Sequence, residues 1–218
     1  MAVYKKIEKF LGDLYELAQG FNYPASSLCA LTGKEVALQE MYPETYSNLV
    51  SCSHHGDHRT PIEYGQDLVA SWIFEDCLMR ELSSAGLQIE KAGADKHREI
   101  LPSSEVSTTS DFIVFNQGRS RGLEVMCDYT GYWRKKHLVD LRDDKYDKIV
   151  ETGSIFLGIA TSDRLQIISD DITVFPSVRI PRHWKWEKPV QQFKISADNL
   201  DHLDYNIIVD QIKKMITK

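Results

Sequence analysis

Cysteine is scarce in this chain, and long apolar runs are missing. Four cysteines, Cys29, Cys52, Cys77 and Cys127, are spread over 218 residues. That is too few to staple a disulfide scaffold of this length. Cys77 and Cys127 fall inside apolar patterns and read as buried thiols. No apolar stretch approaches the roughly 20 residues of a membrane helix, so no membrane association is expected. The opening residues, Met1 to Glu8, lack the apolar centre of a signal peptide. A cytoplasmic location is the expectation from these absences taken together. Internal repeats and low-complexity tracts are absent as well.

Positive charge is also in short supply. Lys and Arg number 26 against 32 Asp and Glu, a formal net charge of −6. That balance weighs against a nucleic-acid coat driven by bulk charge. It does not exclude an enzyme acting on DNA, because acidic metal ligands lower the sum while basic residues gather locally. Two such clusters occur. One is Arg134-Lys135-Lys136-His137. The other runs from Arg179 to Lys188 and includes Arg182, His183 and Lys185. Solvated surface charge is the plain alternative for both.

Hydrophobic residues make up 42% and charged residues 27%, the balance of an ordinary globular protein. The length suits a single domain over 1–218, with a core at about 65–160, a helix and loops at 1–64, and a C-terminal region at 161–218. Helical spacing of Val3, Ile7, Phe10, Leu11, Leu14 and Leu17 predicts a helix over 3–19. Residues 21–64 are irregular. Leu68, Trp72, Met79 and Leu82 predict a second helix over 66–83, ended by Gly86. Glu75 shares its apolar side, where a carboxylate is costly without a partner. Leu87 to Glu90 reads as a short strand, 91–109 as polar loop and 129–139 as a charged connection. A helix is predicted over 140–151 and a fully apolar central strand over 154–160. Short strands follow at 165–168 and 172–175, with a closing helix at about 204–217. This order predicts an α/β (mixed α+β) fold, a central mixed sheet flanked by helices.

The most informative stretch is Ser110 to Asp128. Two apolar strands, Asp111 to Phe115 and Leu123 to Asp128, flank a turn-rich link from Asn116 to Gly122. Each strand carries a carboxylate in an otherwise apolar setting: Asp111 opens the first and Glu124 lies inside the second. A hairpin can bring two such groups together, as a hard divalent cation with oxygen ligands requires. Along the second strand Glu124, Met126 and Asp128 share a face. Asp128 lies about 13 Å beyond Glu124, at roughly 3.3 Å per residue. It reads as a solvated strand end, or as a group that orients a lysine or binds a second ion.

These residues, from Gly65 to Ala160, resemble the PD-(D/E)xK nuclease superfamily and, within it, the type II restriction endonucleases. Glu75 matches the acid of the first helix. Asp111, in Thr109-Ser110-Asp111, matches the strand aspartate, with Ser110 at the usual proline. Glu124-Val125-Met126 matches the last motif except that Met126 replaces its lysine. The resemblance implies a restriction-endonuclease-like core and Mg²⁺-dependent hydrolysis of double-stranded DNA, with Asp111 and Glu124 as metal ligands. The missing lysine could come from Lys135, Lys136, Lys145 or Lys148. Alternatively, water could be activated by the cation alone, or the chain could be a weak or inactive DNA-binding protein. Lys135 and Lys136, beside Glu75, complete the expected catalytic set. DNA contacts are expected from Arg134, Arg179, Arg182, His183 and Lys185, since arginine can pair with guanine in the major groove. A palindromic target would favour a homodimer.

Two further constellations stand beside this one. Cys29, Cys52, His54, His55 and His58 crowd together, but their spacing is poor for zinc. Asp57 to Gly65 faintly resembles the start of an HNH nuclease motif with His58 as the water-activating residue, and the downstream asparagine and histidine do not follow.

Overall fold

The computed structural model describes residues 47, 71–72, 75, 78–93, 96–97, 109–128, 131–160, 165–183 and 188–218. The predicted helix at 3–19, the irregular segment 21–64 apart from Ser47, and the zinc and HNH residues within it lie outside the described residues. So does Lys185.

A mixed six-stranded sheet forms the centre. Its strands are β1 (Gln88–Lys91), β2 (Phe112–Asn116), β3 (Arg119–Asp128), β5 (Ile155–Ala160), β6 (Leu165–Ser169) and β9 (Asp201–His202), side by side in that order. All neighbours are antiparallel except β3 and β5, which run parallel. A second sheet contains β4 (Leu138–Arg142), β8 (Val190–Lys194) and β7 (Ser177–Ile180), antiparallel throughout. The helices are α1, helical at 71–72, 75 and 78–84, then α2 (Tyr132–Lys136), α3 (Asp143–Thr152) and α4 (Tyr205–Thr217). The expected α/β architecture with a mixed central sheet is therefore present.

The β2–β3 hairpin is tighter than the seven-residue link its sequence suggested. Gln117 and Gly118 both take positive φ, 50° and 79°. That is the type I′ geometry whose twist matches the flanking strands. Pairing consequently runs up to Asn116 and Arg119, and Arg119 to Gly122 belong to the strand.

β5 has no exposed residue: all six of its positions are buried. Its apolar run reflects cover on both faces. In register, Glu124, Met126 and Asp128 lie beside Phe156, Gly158 and Ala160. On this face a core joins Phe156, Ala160 and Ile167 to Trp133, Val139, Leu141, Ile149, Phe175 and Phe193, with Met126 packed against it. Phe193 meets Phe156 edge-on, ring centroids 5.7 Å apart, and stacks on Phe175 at 5.5 Å. The second sheet thus covers one face of the first. α4 lies against β2 and β3, with Ile208, Ile212 and Ile216 buried. Asp204 caps it by accepting from Asn206 N at 2.9 Å, as a helix N-cap carboxylate should.

Three elements differ from the sequence reading. The helix expected from residue 140 starts at Asp143, because Leu138–Arg142 is drawn into β4 by pairing with β8. The connection at 129–139 contains α2, bounded by Gly131 and His137 in left-handed conformations. The strand expected at 172–175 is a 3₁₀ turn, Ile172–Val174, nucleated by the Asp171 carboxylate accepting from Thr173 N at 2.9 Å. Competition of this kind between a short polar side chain and a backbone ladder favours turns.

Candidate active site

β2 and β3 pair through Phe112 and Leu123. One residue before β2, the Asp111 carboxylate takes over from the backbone ladder: its Oδ2 accepts from Val125 N at 2.8 Å. Its main-chain carbonyl accepts from Ala92 N and Gly93 N at 2.9 and 3.2 Å. Asp111 is thereby fixed at both ends. Strand alternation puts it on the same face as Glu124.

Glu124 is 3% exposed. A carboxylate at that depth requires a partner, and Lys145 of α3 supplies it. The Lys145 ammonium forms an ion pair with Glu124 Oε1 and lies 3.6 Å from Asp111 Oδ1. Both carboxylates therefore converge on a single point. Burial, and then the negative charge of Asp111, push the Glu124 pKa up to about 7, against the opposing pull of Lys145 and Arg142. Burial alone would depress the Lys145 pKa; Asp111 and Glu124 outweigh it and hold the ammonium above the ordinary lysine range.

Lys145 is the third residue of α3, after Asp143 and Asp144. A cation in the first turn faces the positive end of the helix dipole. Only Asp143 and Asp144 follow that local rule. The two strand carboxylates account for the exception.

A hydroxyl cluster adjoins the pair. Ser110 Oγ donates to Ser154 Oγ at 2.9 Å, and Thr152 Oγ1 lies 2.7 Å from the same Ser154 oxygen. Gly122 makes room for it: a Cβ there would collide with Ser154 Oγ and sit 2.8 Å from Ser110 Oγ.

The other expected residues fall elsewhere. Lys135, Lys136 and Arg134 are exposed on α2. Lys148 pairs with Glu151 at 3.0 Å. Of the four lysines considered for the role left by Met126, Lys145 is the one the structure brings to the carboxylates. Glu75 lies half-buried on α1. Its charge is felt at Cys127, on the sheet face opposite Glu124; burial, then Glu75, Asp111 and Asp128 all raise that thiol's pKa. Met126 faces the apolar core. Asp128 is buried, and its Oδ2 accepts from Trp133 N at 2.9 Å, so it ties the start of α2 to the strand end.

Arg179 and Arg182 are exposed, and Arg179 Nε donates to Asp143 Oδ2 at 2.7 Å. His183 is internal, with Nε2 3.3 Å from Asp140 Oδ2. The other Asp140 oxygen accepts from Gln192 Nε2 at 2.6 Å, and Tyr132 also hydrogen-bonds this carboxylate. Sequence reasoning missed this polar group, because the β4–β8 pairing that assembles it joins segments 52 residues apart.

Among the described residues, no group of three or more His, Cys, Asp or Glu side chains gathers as a metal cage. The Asp111–Glu124 pair supplies two hard oxygen donors. That is the protein share usual for Mg²⁺, which keeps several waters and takes further oxygens from substrate phosphates. The donor set fits that ion. No family model, no curated protein and no solved structure matches the chain at a significant level.

Proposed function

We propose that the chain is a Mg²⁺-dependent endonuclease that hydrolyses phosphodiester bonds in double-stranded DNA, built on a core like that of the PD-(D/E)xK nucleases. The observation that carries this reading is the convergence of Asp111 and Glu124, from adjacent strands, on the ammonium of Lys145. Two carboxylates and one lysine are the residue types that metal-assisted phosphodiester hydrolysis uses, and the lysine comes from a helix where the strand position holds Met126.

Asp111 and Glu124 would hold the ion. Mg²⁺ bound there would supply positive charge beside the scissile phosphate and Lewis acidity toward the attacking water. The rest falls to the chain's own groups. Asp111, held by three backbone amides, keeps its carboxylate in place without reorganisation. Lys145, with two carboxylates beside it, stays protonated and offers positive charge to the phosphate oxygens as negative charge grows there. Arg134, Lys135 and Lys136, exposed beyond the end of β3, are suited to contact the DNA backbone, and Arg179 and Arg182 to contact base edges. A second copy of the chain would serve a palindromic site.

Cleavage of supercoiled plasmid tests the proposal. Cutting should require Mg²⁺ and stop with chelator. Asp111→Ala and Glu124→Ala should each abolish it while DNA binding in a gel-shift assay persists. Cutting by both variants would overturn the site assignment.

A further inference from the structure

We infer that Lys145 is a built-in counter-cation that stands where a divalent ion would bind, so that loading the site displaces its ammonium. This rests on the metal-binding part of the proposed function and adds how the site is held before the ion arrives.

Two carboxylates facing one point repel each other, and Glu124 is almost fully buried. A positive group between them relieves that repulsion and lets both stay ionised. Lys145 Nζ does so, ion-paired with Glu124 and 3.6 Å from Asp111 Oδ1. The same carboxylate oxygens cannot serve a divalent ion, at metal–oxygen bonds near 2.1 Å, while the ammonium keeps this position. The lysine stem is long and rotatable, a compact point charge that can move aside. Displacement would leave the cation beside the site, free to approach a phosphate oxygen. The apo protein is thereby kept assembled, and weak or singly charged cations gain little from entering.

The inference is tested without DNA. Lysine labelling by reductive methylation of the wild-type protein, read residue by residue by mass spectrometry, should increase several-fold at Lys145 when Mn²⁺ is added. Labelling of Lys148, paired with Glu151 three residues away, should stay unchanged. Mn²⁺ titration at mildly alkaline pH should give Lys145→Met a dissociation constant lower than wild type by about tenfold or more, since a competing charge at about 4 Å is gone. Lys145→Arg, which keeps a cation, should show no such gain.

Lys145 labelling that ignores Mn²⁺, or a Lys145→Met variant that binds no more tightly than wild type, overturns the inference. Plasmid cleavage separates the two readings. A protein that cuts DNA yet shows neither change retains its nuclease assignment and loses this device. A protein that cuts nothing yet shows both retains the device and loses the nuclease assignment.

Discussion

Lys145, in the first turn of α3, and Glu124, in the middle of β3, form an ion pair at the edge of the apolar core between the two sheets. Met126, two residues beyond Glu124 on the same face, packs into that core instead. The positive charge beside the carboxylates thus comes from α3, and the strand position two residues beyond Glu124 is apolar.

Met126→Lys probes this arrangement. A second ammonium would enter an apolar cluster beside Trp133 and compete with Lys145 for the same carboxylates. The variant should cleave plasmid no faster than wild type and unfold at lower urea, by about 1–3 kcal/mol for a charged group placed where a partly buried apolar one packs. Lys145→Met should lose roughly 100-fold or more in cleavage rate. Restored activity in the Met126→Lys/Lys145→Met double variant would indicate that either position can serve.

The raised pKa of Glu124 gives stability a pH dependence. Its folded value, about 7, exceeds the unfolded carboxyl value near 4.3. Between these two pH values the folded state therefore binds more protons than the unfolded state. The contribution is full below the unfolded value and is lost as pH rises toward 7. Wild-type stability measured relative to Glu124→Gln should fall from about pH 5 to pH 7, by no more than roughly 3 kcal/mol for such a shift. Urea unfolding at a series of pH values checks it; a difference that stays flat or grows with pH would contradict it.

Gly158 makes a prediction for packing alone. A Cβ at this position would sit 2.7 Å from Ile167 Cγ2 and 2.8 Å from two ring carbons of Trp133. Trp133 is buried, and its backbone N–H is held by Asp128, so the ring has little room to yield. Gly158→Ala should cost about 1–3 kcal/mol in urea unfolding, and the near-ultraviolet signal of Trp133 should shift.

Particular residues explain how much of this was legible in the sequence. The β2–β3 hairpin and the buried β5 were legible because runs such as Phe112–Phe115 and Ile155–Ala160 have few other ways to be buried. Asp111 and Glu124 stood out against that apolar background, and pairing in the hairpin is local. Lys145 was one of four lysines because its place depends on where α3 begins. That boundary is set by β4, whose partner β8 lies some 50 residues further along the chain, Asp140 facing Gln192. Leu138–Arg142 carries two charges in five residues and lacks the alternation that marks a strand. The burial of His183 was hidden for the same reason, since its partner Asp140 sits on that strand.

Magnesium-dependent linearisation of supercoiled plasmid by wild type and Glu124→Gln, prepared and assayed side by side, tests the central proposal most directly. Glu124→Gln keeps the side-chain shape and a hydrogen-bonding oxygen for Lys145 and removes the charge that would hold the ion. Wild type should cut only with Mg²⁺, and the variant should be slower by roughly 100-fold or more while remaining folded. Equal cutting by the two proteins, or none by wild type over a wide range of Mg²⁺, would contradict it.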